Sequence, residues 1–255
     1  MPRPKKKKEK FKKSYKPISR LKGMKDILPD EQKFFREVIN TCVEIAESYG
    51  FKRITTPVVE SVKLFKRAVG EITDIVEKEM FVFKDKSKEE VALRPEITAS
   101  IVRAYIEHGM ISLPQPVKLY QIGTVYRYSK PQSGRYREFR QFNIEIIGER
   151  DPVSDAEVIV VGYIILKNLG IDPIVLINSI GCRECRPSYK RTLIAFLKKH
   201  RLRLCVDCRK RMLKNPLRVL DCKEDKCRQV CEKSPQIVDF LCEMCKDHFF
   251  KVLII

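Results

Sequence analysis

The stretch from Val117 to Gly148 constrains the fold of this chain most, because it is typical of two long strands joined by a basic loop. The apolar, β-rich runs Val117–Tyr128 and Phe139–Ile147 predict an antiparallel pair. Guanidinium groups fork onto phosphate oxygens, and aromatic faces stack on bases, so we expect a purine polyphosphate here. A solvated basic hairpin explains the charge alone equally well. The cations in and beside the loop are Lys130, Arg135, Arg137 and Arg140.

The order of the side chains along this hairpin favours a nucleotide site. Arg127 ends the first strand, Arg135 and Phe139 bracket the return, and Gln141 and Glu145 follow on the second strand. The sequence GRYREFRQFNIE resembles motif 2 of class II aminoacyl-tRNA synthetases, and in particular the form of this motif in histidyl-tRNA synthetases. The resemblance implies that Arg127 is the catalytic residue and binds the α-phosphate of ATP, while Arg135 reaches the outer phosphates. It also implies that Phe139 stacks on adenine, and that Gln141, Glu145 and Arg127 bind histidine.

The segment from Pro29 to Pro57 predicts a long helix followed by a strand. Acidic residues after Pro29 favour a helix start, Gly50 ends the helix, and Phe51–Thr56 is typical of a strand that Pro57 closes. This order resembles motif 1 of class II synthetases, which implies a homodimer through the region Asp30–Pro57. The apolar residues at helical spacing are Phe34, Val38, Ile39, Cys42, Ile45 and Tyr49.

Glu96 and Thr98 lie between a predicted strand and a predicted helix. A carboxylate and a hydroxyl at such a position can bind an ammonium group, although an ordinary helix cap, with Thr98 serving the backbone, explains them as well. The sequence LRPEITASIVRAYIEH is similar to the signature that histidyl-tRNA synthetases have between motifs 1 and 2. That resemblance implies that Glu96 and Thr98 hold the α-ammonium of histidine.

The formal net charge of +19 is concentrated at the two ends of the chain. Residues 1–22 carry +10, which predicts a disordered basic arm, and residues 173–255 carry another +10. This asymmetry favours RNA over a membrane as the polyanionic partner. The sequence contains neither a long apolar run nor an export signal, so we expect a cytoplasmic protein whose cysteines are reduced.

The cysteine-rich segment, residues 181–255, holds nine of the ten cysteines. Three C-x-x-C pairs and one wider pair offer eight thiolates, and four thiolates close a structural zinc site. Cys182/Cys185 and Cys205/Cys208 are separated by 19 residues, which is within zinc-ribbon spacing, and the remaining pairs could make a second site. The spacing leaves open whether two sites are sequential or interleaved, and buried reduced cysteines remain the alternative. Cys231 is the spare thiol, and Cys42 is expected to pack in a core. The candidate ligands are Cys182, Cys185, Cys205, Cys208, Cys222, Cys227, Cys242 and Cys245.

Basic residues run between the cysteine pairs, which suits contact with an RNA backbone. The sequences INSIGCRECR and NPLRVLDCK resemble the insertion domain of bacterial-type histidyl-tRNA synthetases. This resemblance implies contact with the acceptor stem of tRNA-His. His248 is a less favoured metal ligand, and no histidine is assigned a catalytic role. The basic residues are Lys190, Arg191, Lys198, Lys199, Arg201, Arg203, Arg209, Lys210 and Arg211.

The predicted fold class is α+β. It consists of a truncated class II synthetase antiparallel sheet with flanking helices in residues 23–180, followed by the cysteine-rich zinc-binding insertion module. Pro152–Leu169 predicts a helix that covers the sheet, and Ile174–Ile180 predicts a further strand. The missing last strands of the family sheet would leave an apolar edge exposed.

Two positions depart from the family pattern. Ser129 stands where motif 2 has a glutamate, and Ile97 stands where the family usually has glycine. Nothing matches the family's R-G-L-D-Y-Y segment, its motif 3 or its anticodon-binding domain. The sequence therefore predicts the N-terminal part of a histidine–tRNA ligase that uses ATP, Mg²⁺ and structural Zn²⁺. We expect this chain to be weakly active or inactive without a separate C-terminal half.

Two alternatives are a non-catalytic, synthetase-like paralogue that binds tRNA or regulates, and a regulatory subunit of ATP phosphoribosyltransferase. The zinc insertion argues against the second, because those regulators generally lack it.

Overall fold

The computed structural model describes residues 18–70, 75–130 and 134–254. The helices in these ranges are α1 (Pro29–Ser48), α2 (Val62–Val69), α3 (Thr98–Glu107), α4 (Pro152–Asn168), α5 (Cys185–Lys199), α6 (Val206–Lys214), α7 (Leu217–Leu220), α8 (Asp225–Cys231) and α9 (Glu243–Ile254). The strands are β1 (Lys52–Arg53), β2 (Val59–Ser61), β3 (Phe81–Lys84), β4 (Glu90–Leu93), β5 (Val117–Tyr126) and β6 (Glu138–Ile147). Among the described helices, none is long and apolar enough to cross a bilayer.

The strands form two sheets of three. In one sheet β5 lies between β1 and β6, and β1 runs parallel to β5 with Lys52 opposite Leu119. In the other, β4 lies between β2 and β3 and is antiparallel to both. The two predicted hairpin strands are confirmed as β5 and β6, and the predicted mixture of helices with antiparallel sheet is confirmed as well.

Two predicted strands differ from the structure. The strand expected at Phe51–Thr56 is reduced to the two residues of β1. The strand expected at Ile174–Ile180 is wrong, since these residues have no regular secondary structure and belong to neither sheet. A strand forms only where a neighbour supplies hydrogen bonds, and no described strand pairs with this segment. Ile174 and Leu176 are 88% and 90% exposed, so the segment presents apolar side chains outside either sheet.

Helix α1 forms where the periodicity predicts it, with Asp30 and Glu31 in its first turn. Only its C-terminal half is buried: Cys42 and Ile45 are in the core, which confirms the packing role expected for Cys42. Phe34 and Val38 share the apolar spacing but are exposed. The periodicity therefore located the helix correctly, whereas it overstated the length of the buried face.

The described residues form two compact units, which the chain crosses several times. One comprises the described parts of 18–37, 54–108 and 121–143, and has a core of Val62, Phe65, Ala92 and Ala99. The other comprises 38–53, 109–120 and 144–254, and its largest core lies in the cysteine-rich segment around Leu193, Leu197 and Val219. Most of the predicted basic arm, residues 1–17, lies outside the described residues, so its disorder stays a prediction.

Candidate functional site

Arg127 lies one residue beyond the end of β5, and its backbone is fixed to the returning chain by a bond from its N–H to the carbonyl of Arg137 (2.9 Å). Its Nε donates to the carbonyl of Pro95 (2.7 Å). Burial lowers the pKa of its guanidinium, while Glu79 and Glu96 act to raise it. The guanidinium carbon lies 5.3 Å from the centre of the Phe139 ring, so the predicted phosphate-binding and base-stacking groups are adjacent.

The four cations of the hairpin loop do not share one role. The guanidinium of Arg137 lies 3.6 Å from the centre of the Tyr128 ring, and its Nε donates to the carbonyl of Ser129 (3.3 Å). Arg140 packs over Phe35 instead, at 5.2 Å. Arg137 and Arg140 thus stabilise the protein itself, whereas the side chain of Arg135 is exposed, as contact with an outer phosphate requires. The remaining cation, Lys130, is also exposed.

Ser129, which replaces the motif 2 glutamate, is 5% exposed. Its N–H donates to the carbonyl of Arg127 (2.7 Å). A glutamate at this position would bury a carboxylate, which is costly without a partner. Serine at this position therefore avoids burying a charge.

Glu96 precedes helix α3 and accepts a hydrogen bond from the N–H of Ala99 (2.9 Å). The capping role falls to Glu96 rather than to Thr98, because the carboxylate satisfies one of the open N–H groups of the first turn. Thr98 accepts a bond from the side-chain amide of Asn143 (3.2 Å). Ile97, which replaces glycine, is fully buried, with no exposed surface.

Asn143 is a candidate site residue that the sequence analysis did not name, although the alternation of side chains along β6 could have found it. Gln141, Asn143 and Glu145 are two residues apart on one strand, so their side chains share a face. The Oε1 atom of Gln141 and the Oδ1 atom of Asn143 are buried and accept no hydrogen bond within the described residues. Two buried acceptors without a donor suit a ligand that brings N–H groups, such as an ammonium or an imidazole.

The eight predicted metal-ligating cysteines come together in two clusters of four. The pairing is nested, so the zinc-ribbon pairing of Cys182/Cys185 with Cys205/Cys208 that their spacing suggested is wrong. The first pair, Cys182 and Cys185, meets the last pair, Cys242 and Cys245, in what we call the outer cluster. The inner cluster lies between them in sequence and consists of Cys205, Cys208, Cys222 and Cys227. Cys231 belongs to neither cluster, as predicted.

The sulfur positions suit a four-thiolate zinc site. In each cluster the four sulfurs lie within 4.8 Å of one another, with separations of 3.5 Å for Cys182–Cys185, 3.9 Å for Cys182–Cys242 and 4.0 Å for Cys205–Cys222. Zinc–sulfur bonds of about 2.3 Å in a tetrahedron put the sulfurs about 3.8 Å apart. Disulfides need about 2.05 Å, and all ten cysteines are free.

Backbone N–H groups point at the cluster sulfurs and favour their thiolate form. The N–H of Cys242 donates to the sulfur of Cys185 (3.1 Å) and lowers the pKa of that thiol to about 6. In the inner cluster, the N–H of Cys205 donates to the sulfur of Cys227 (3.2 Å). Burial instead raises the pKa of Cys245 to about 12, so a metal that binds there must displace a proton.

Replacing Gly181 with alanine should destabilise the outer cluster. Gly181 has φ +63°, and an added Cβ would lie 2.8 Å from the Cβ of Cys185. Gly170→Ala is the matched control, because Gly170 has φ +77° but no atom within 4 Å of its added Cβ. Both variants incur the cost of the left-handed backbone, about 1–2 kcal/mol, and only Gly181→Ala adds the clash. Denaturant unfolding should show the larger loss for Gly181→Ala, and equal losses would contradict the close packing.

His248 lies close to the outer cluster in sequence but is not one of its ligands. Its Nε2 lies 2.7 Å from the Oδ2 of Asp155, which joins helix α9 to α4. The cations of the cysteine-rich segment lie mainly at the surface, with Lys198, Lys199 and Arg201 all exposed. The segment thus combines two compact thiol clusters with a basic exterior.

Comparison with known proteins connects this geometry with one family. Residues 23–181 match the sequence model of a family described as histidyl-tRNA synthetase. The histidine–tRNA ligase of Halothermothrix orenii is 48% identical over 229 residues, which cover 89% of this chain and 55% of the relative. The corresponding protein of Caldanaerobacter subterraneus subsp. tengcongensis is 50% identical over 229 residues, with the same coverage. The chain spans about half the length of the curated relatives it matches.

Two solved structures resemble the fold. Apo histidyl-tRNA synthetase of S. aureus has a TM-score of 0.68 at 34% identity, over 93% of this chain and 54% of that one. A Bacillus halodurans protein, described as an ATP phosphoribosyltransferase regulatory subunit/histidyl-tRNA synthetase, has a TM-score of 0.64 at 21% identity. It covers 94% of this chain and 65% of that one. The second likeness, at this identity, concerns the fold alone.

Proposed function

Because the chain belongs to the histidyl-tRNA synthetase family, we propose that it supplies part of a site that activates histidine with ATP and transfers it to tRNA-His. The observation that carries this proposal is the position of Arg127. Its Nε donates a hydrogen bond to the carbonyl of Pro95, and its guanidinium lies against the ring of Phe139. With Nε engaged by Pro95, the two terminal nitrogens of Arg127 are the donors that can bind a phosphate.

In the proposed reaction, a carboxylate oxygen of histidine attacks the α-phosphorus of ATP and pyrophosphate leaves, which gives histidyl-adenylate. Arg127 binds the α-phosphate and offsets the charge that develops there, Arg135 binds the outer phosphates, and Phe139 stacks on adenine. The step needs alignment and charge neutralisation more than a protein base. The Mg²⁺ that accompanies ATP shares the phosphate charge.

Histidine is bound, in this proposal, by residues of the α3 start and of β6. Glu96 keeps a carboxylate beside the open end of α3, where it can attract the α-ammonium as well as cap the helix. Thr98 adds a hydroxyl that Asn143 orients. Gln141 offers its buried Oε1 as an acceptor, and Glu145 lies on the same face of β6.

We propose that the inner and outer clusters each hold one structural Zn²⁺, with four thiolates closing each coordination sphere. Such sites leave no open position for water, so the metal contributes to folding and not to the chemistry. Thiolate sites of this kind suit a reducing compartment such as the cytoplasm. The basic exterior of the cysteine-rich segment then serves to bind the backbone of tRNA-His.

This RNA binding predicts a strong salt dependence. The affinity for tRNA should fall steeply between low and physiological salt, because the cations of the protein release the cations condensed on the RNA. Lys198→Gln/Lys199→Gln should reduce the slope of log affinity against log salt by about 0.7–0.9 for each phosphate that is no longer neutralised. Lys84→Gln/Lys86→Gln removes two exposed cations of the other unit and should leave the slope unchanged. Filter binding at several salt concentrations measures both, and a salt-independent affinity would count against the proposal.

Two partners complete the proposal: a second copy of the chain through the region Asp30–Pro57, and a polypeptide equivalent to the rest of the relatives. The Ile174–Ile180 segment supports the latter, because its exposed apolar side chains offer surface that another polypeptide could cover. The second candidate function is a non-catalytic, tRNA-binding paralogue, which the serine at position 129 favours. Histidine-dependent exchange of pyrophosphate into ATP distinguishes the two, since only the ligase supports it.

A further inference from the structure

Arg94 is an arginine buried in the unit that contains the hairpin loop, with 3% of its surface exposed. Its guanidinium is engaged by backbone carbonyl groups from two distant segments. Nη1 donates to the carbonyl of Thr56 (2.9 Å), and Nε donates to the carbonyl of Thr124 (2.8 Å). A further hydrogen bond from Nη1 reaches the carbonyl of Pro57 (3.4 Å). A buried charge is tolerated only where such partners surround it.

The backbone of Arg94 joins the same two segments. Its N–H donates to the carbonyl of Val58 (2.9 Å), and its carbonyl accepts from the N–H of Tyr126 (3.0 Å). Main chain and side chain together therefore connect the stretch 56–58, the loop that carries Glu96, and the end of β5. These hydrogen bonds fix the position of that loop on both sides.

Pro95, the next residue, connects Arg94 with Arg127. Pro95 is fully buried, and its carbonyl is the group that accepts the bond from Nε of Arg127 (2.7 Å). The direction of the Arg127 guanidinium thus depends on where Pro95 is held. Pro95 has no N–H of its own, so the backbone here is held through its neighbours, and the hydrogen bonds of Arg94 are the ones that reach both flanking segments.

Gly123 leaves room for this arrangement. A Cβ at Gly123 would overlap Nη2 of Arg94 and lie 3.1 Å from its Cζ. The β5 backbone therefore passes directly against the guanidinium, and the absence of a side chain there is a requirement of the buried arginine. This close approach is a second sign that Arg94 occupies a defined place.

We propose that Arg94 is a positioning residue, which holds the Pro95 carbonyl and thereby aims the guanidinium of Arg127 at the nucleotide. The inference rests on the proposed function for the nucleotide, whereas the link between Arg94 and Arg127 stands on the geometry alone. Lysine cannot replace Arg94, because a single ammonium on a flexible stem cannot reach Thr56 and Thr124 in the fixed directions of the fork.

The first test is a calorimetric titration of the full chain with Mg·ATP. Arg94→Lys should weaken the affinity between about tenfold and a hundredfold, the effect expected when Arg127 loses its hydrogen bonds to a charged phosphate. Phe65→Leu is the matched control, because it lowers stability through the α2 core while leaving Arg94 and Pro95 in place. An affinity of Arg94→Lys equal to that of Phe65→Leu would overturn the inference.

The second test needs no ligand, so it separates failure of the inference from failure of the proposed function. In protein with ¹⁵N-labelled arginine, the Nε–H signal of Arg127 is identified by its loss in Arg127→Lys. The bond to Pro95 should protect this proton from exchange with water in the wild type and in Phe65→Leu. In Arg94→Lys the protection should disappear. A signal that stays protected in Arg94→Lys contradicts the inference, whether or not the wild type binds ATP.

Discussion

The double variant Cys182→Ser/Cys242→Ser should retain about one zinc per chain, whereas Cys182→Ser/Cys205→Ser should retain almost none. The first variant removes two ligands from the outer cluster alone, and the second removes one ligand from each cluster. Loss of a single thiolate opens a structural site and greatly lowers its affinity for zinc. Metal analysis of the purified proteins measures the difference directly.

The control for this experiment is Cys231→Ser, since Cys231 belongs to neither cluster and should leave both metals bound. A sequential pairing, in which Cys182 and Cys205 share one metal, predicts the reverse pattern. Cys182→Ser/Cys205→Ser would then keep one zinc, and Cys182→Ser/Cys242→Ser would keep none. A wild-type protein that folds fully without metal would contradict both arrangements.

Arg127→Ala should reduce the rate of histidine activation by about 100- to 1,000-fold, the usual effect of removing a group that stabilises developing charge. The loss should exceed that of the ATP affinity, because the charge on the α-phosphate grows in the transition state. Arg127→Lys should recover only part of the rate, because an ammonium keeps the charge but loses the fork. Single-turnover formation of histidyl-adenylate, with the complementing polypeptide present, gives the rates.

Arg140→Ala is the matched control for Arg127→Ala. It removes the same side chain from the same hairpin, but Arg140 packs over Phe35 and not over Phe139. Its effect on the activation rate should be small, with a modest loss of stability because Arg140 no longer covers the Phe35 ring. Equal losses of rate in Arg140→Ala and Arg127→Ala would show that general charge, and not position, governs the reaction.

The elements that the sequence predicted well are those specified by local patterns. Helix α1, helix α4 and the β5–β6 pair were predicted from periodicity, helix ends and turn residues. Their observed bounds lie within a few positions of the predicted ones. The strand predicted at Ile174–Ile180 failed because a strand needs a neighbour as well as a β-rich sequence. Its apolar residues Ile174 and Leu176 are exposed rather than packed in a sheet.

The nested pairing of the cysteines could not be derived from their spacing. Bringing Cys185 to Cys242 closes a loop almost three times as long as bringing Cys185 to Cys205. That difference costs only about 1 kcal/mol of chain entropy. The packing of the cysteine-rich segment around residues such as Leu193 and Leu197 outweighs so small a term.

The sequence predicted the residues of the candidate nucleotide site, but not the contacts that hold them in place. Arg127 and Phe139 could be named from the order of the motif, and the structure brings them into contact. Arg94 could not be named in this way, because arginine is usually exposed and nothing in the sequence indicates that this one is buried. Supporting contacts of this kind join segments far apart in sequence, where local patterns carry no information.

The most direct test of the proposed function is histidine-dependent exchange of pyrophosphate into ATP. It should be measured on the chain alone and with the polypeptide corresponding to the part of the Halothermothrix orenii relative that this chain does not match. We predict exchange near background for the chain alone, and clear histidine-dependent exchange with the added polypeptide, which Arg127→Ala abolishes. No exchange in the completed mixture, or exchange that persists in Arg127→Ala, would contradict the assignment of this site to histidine activation.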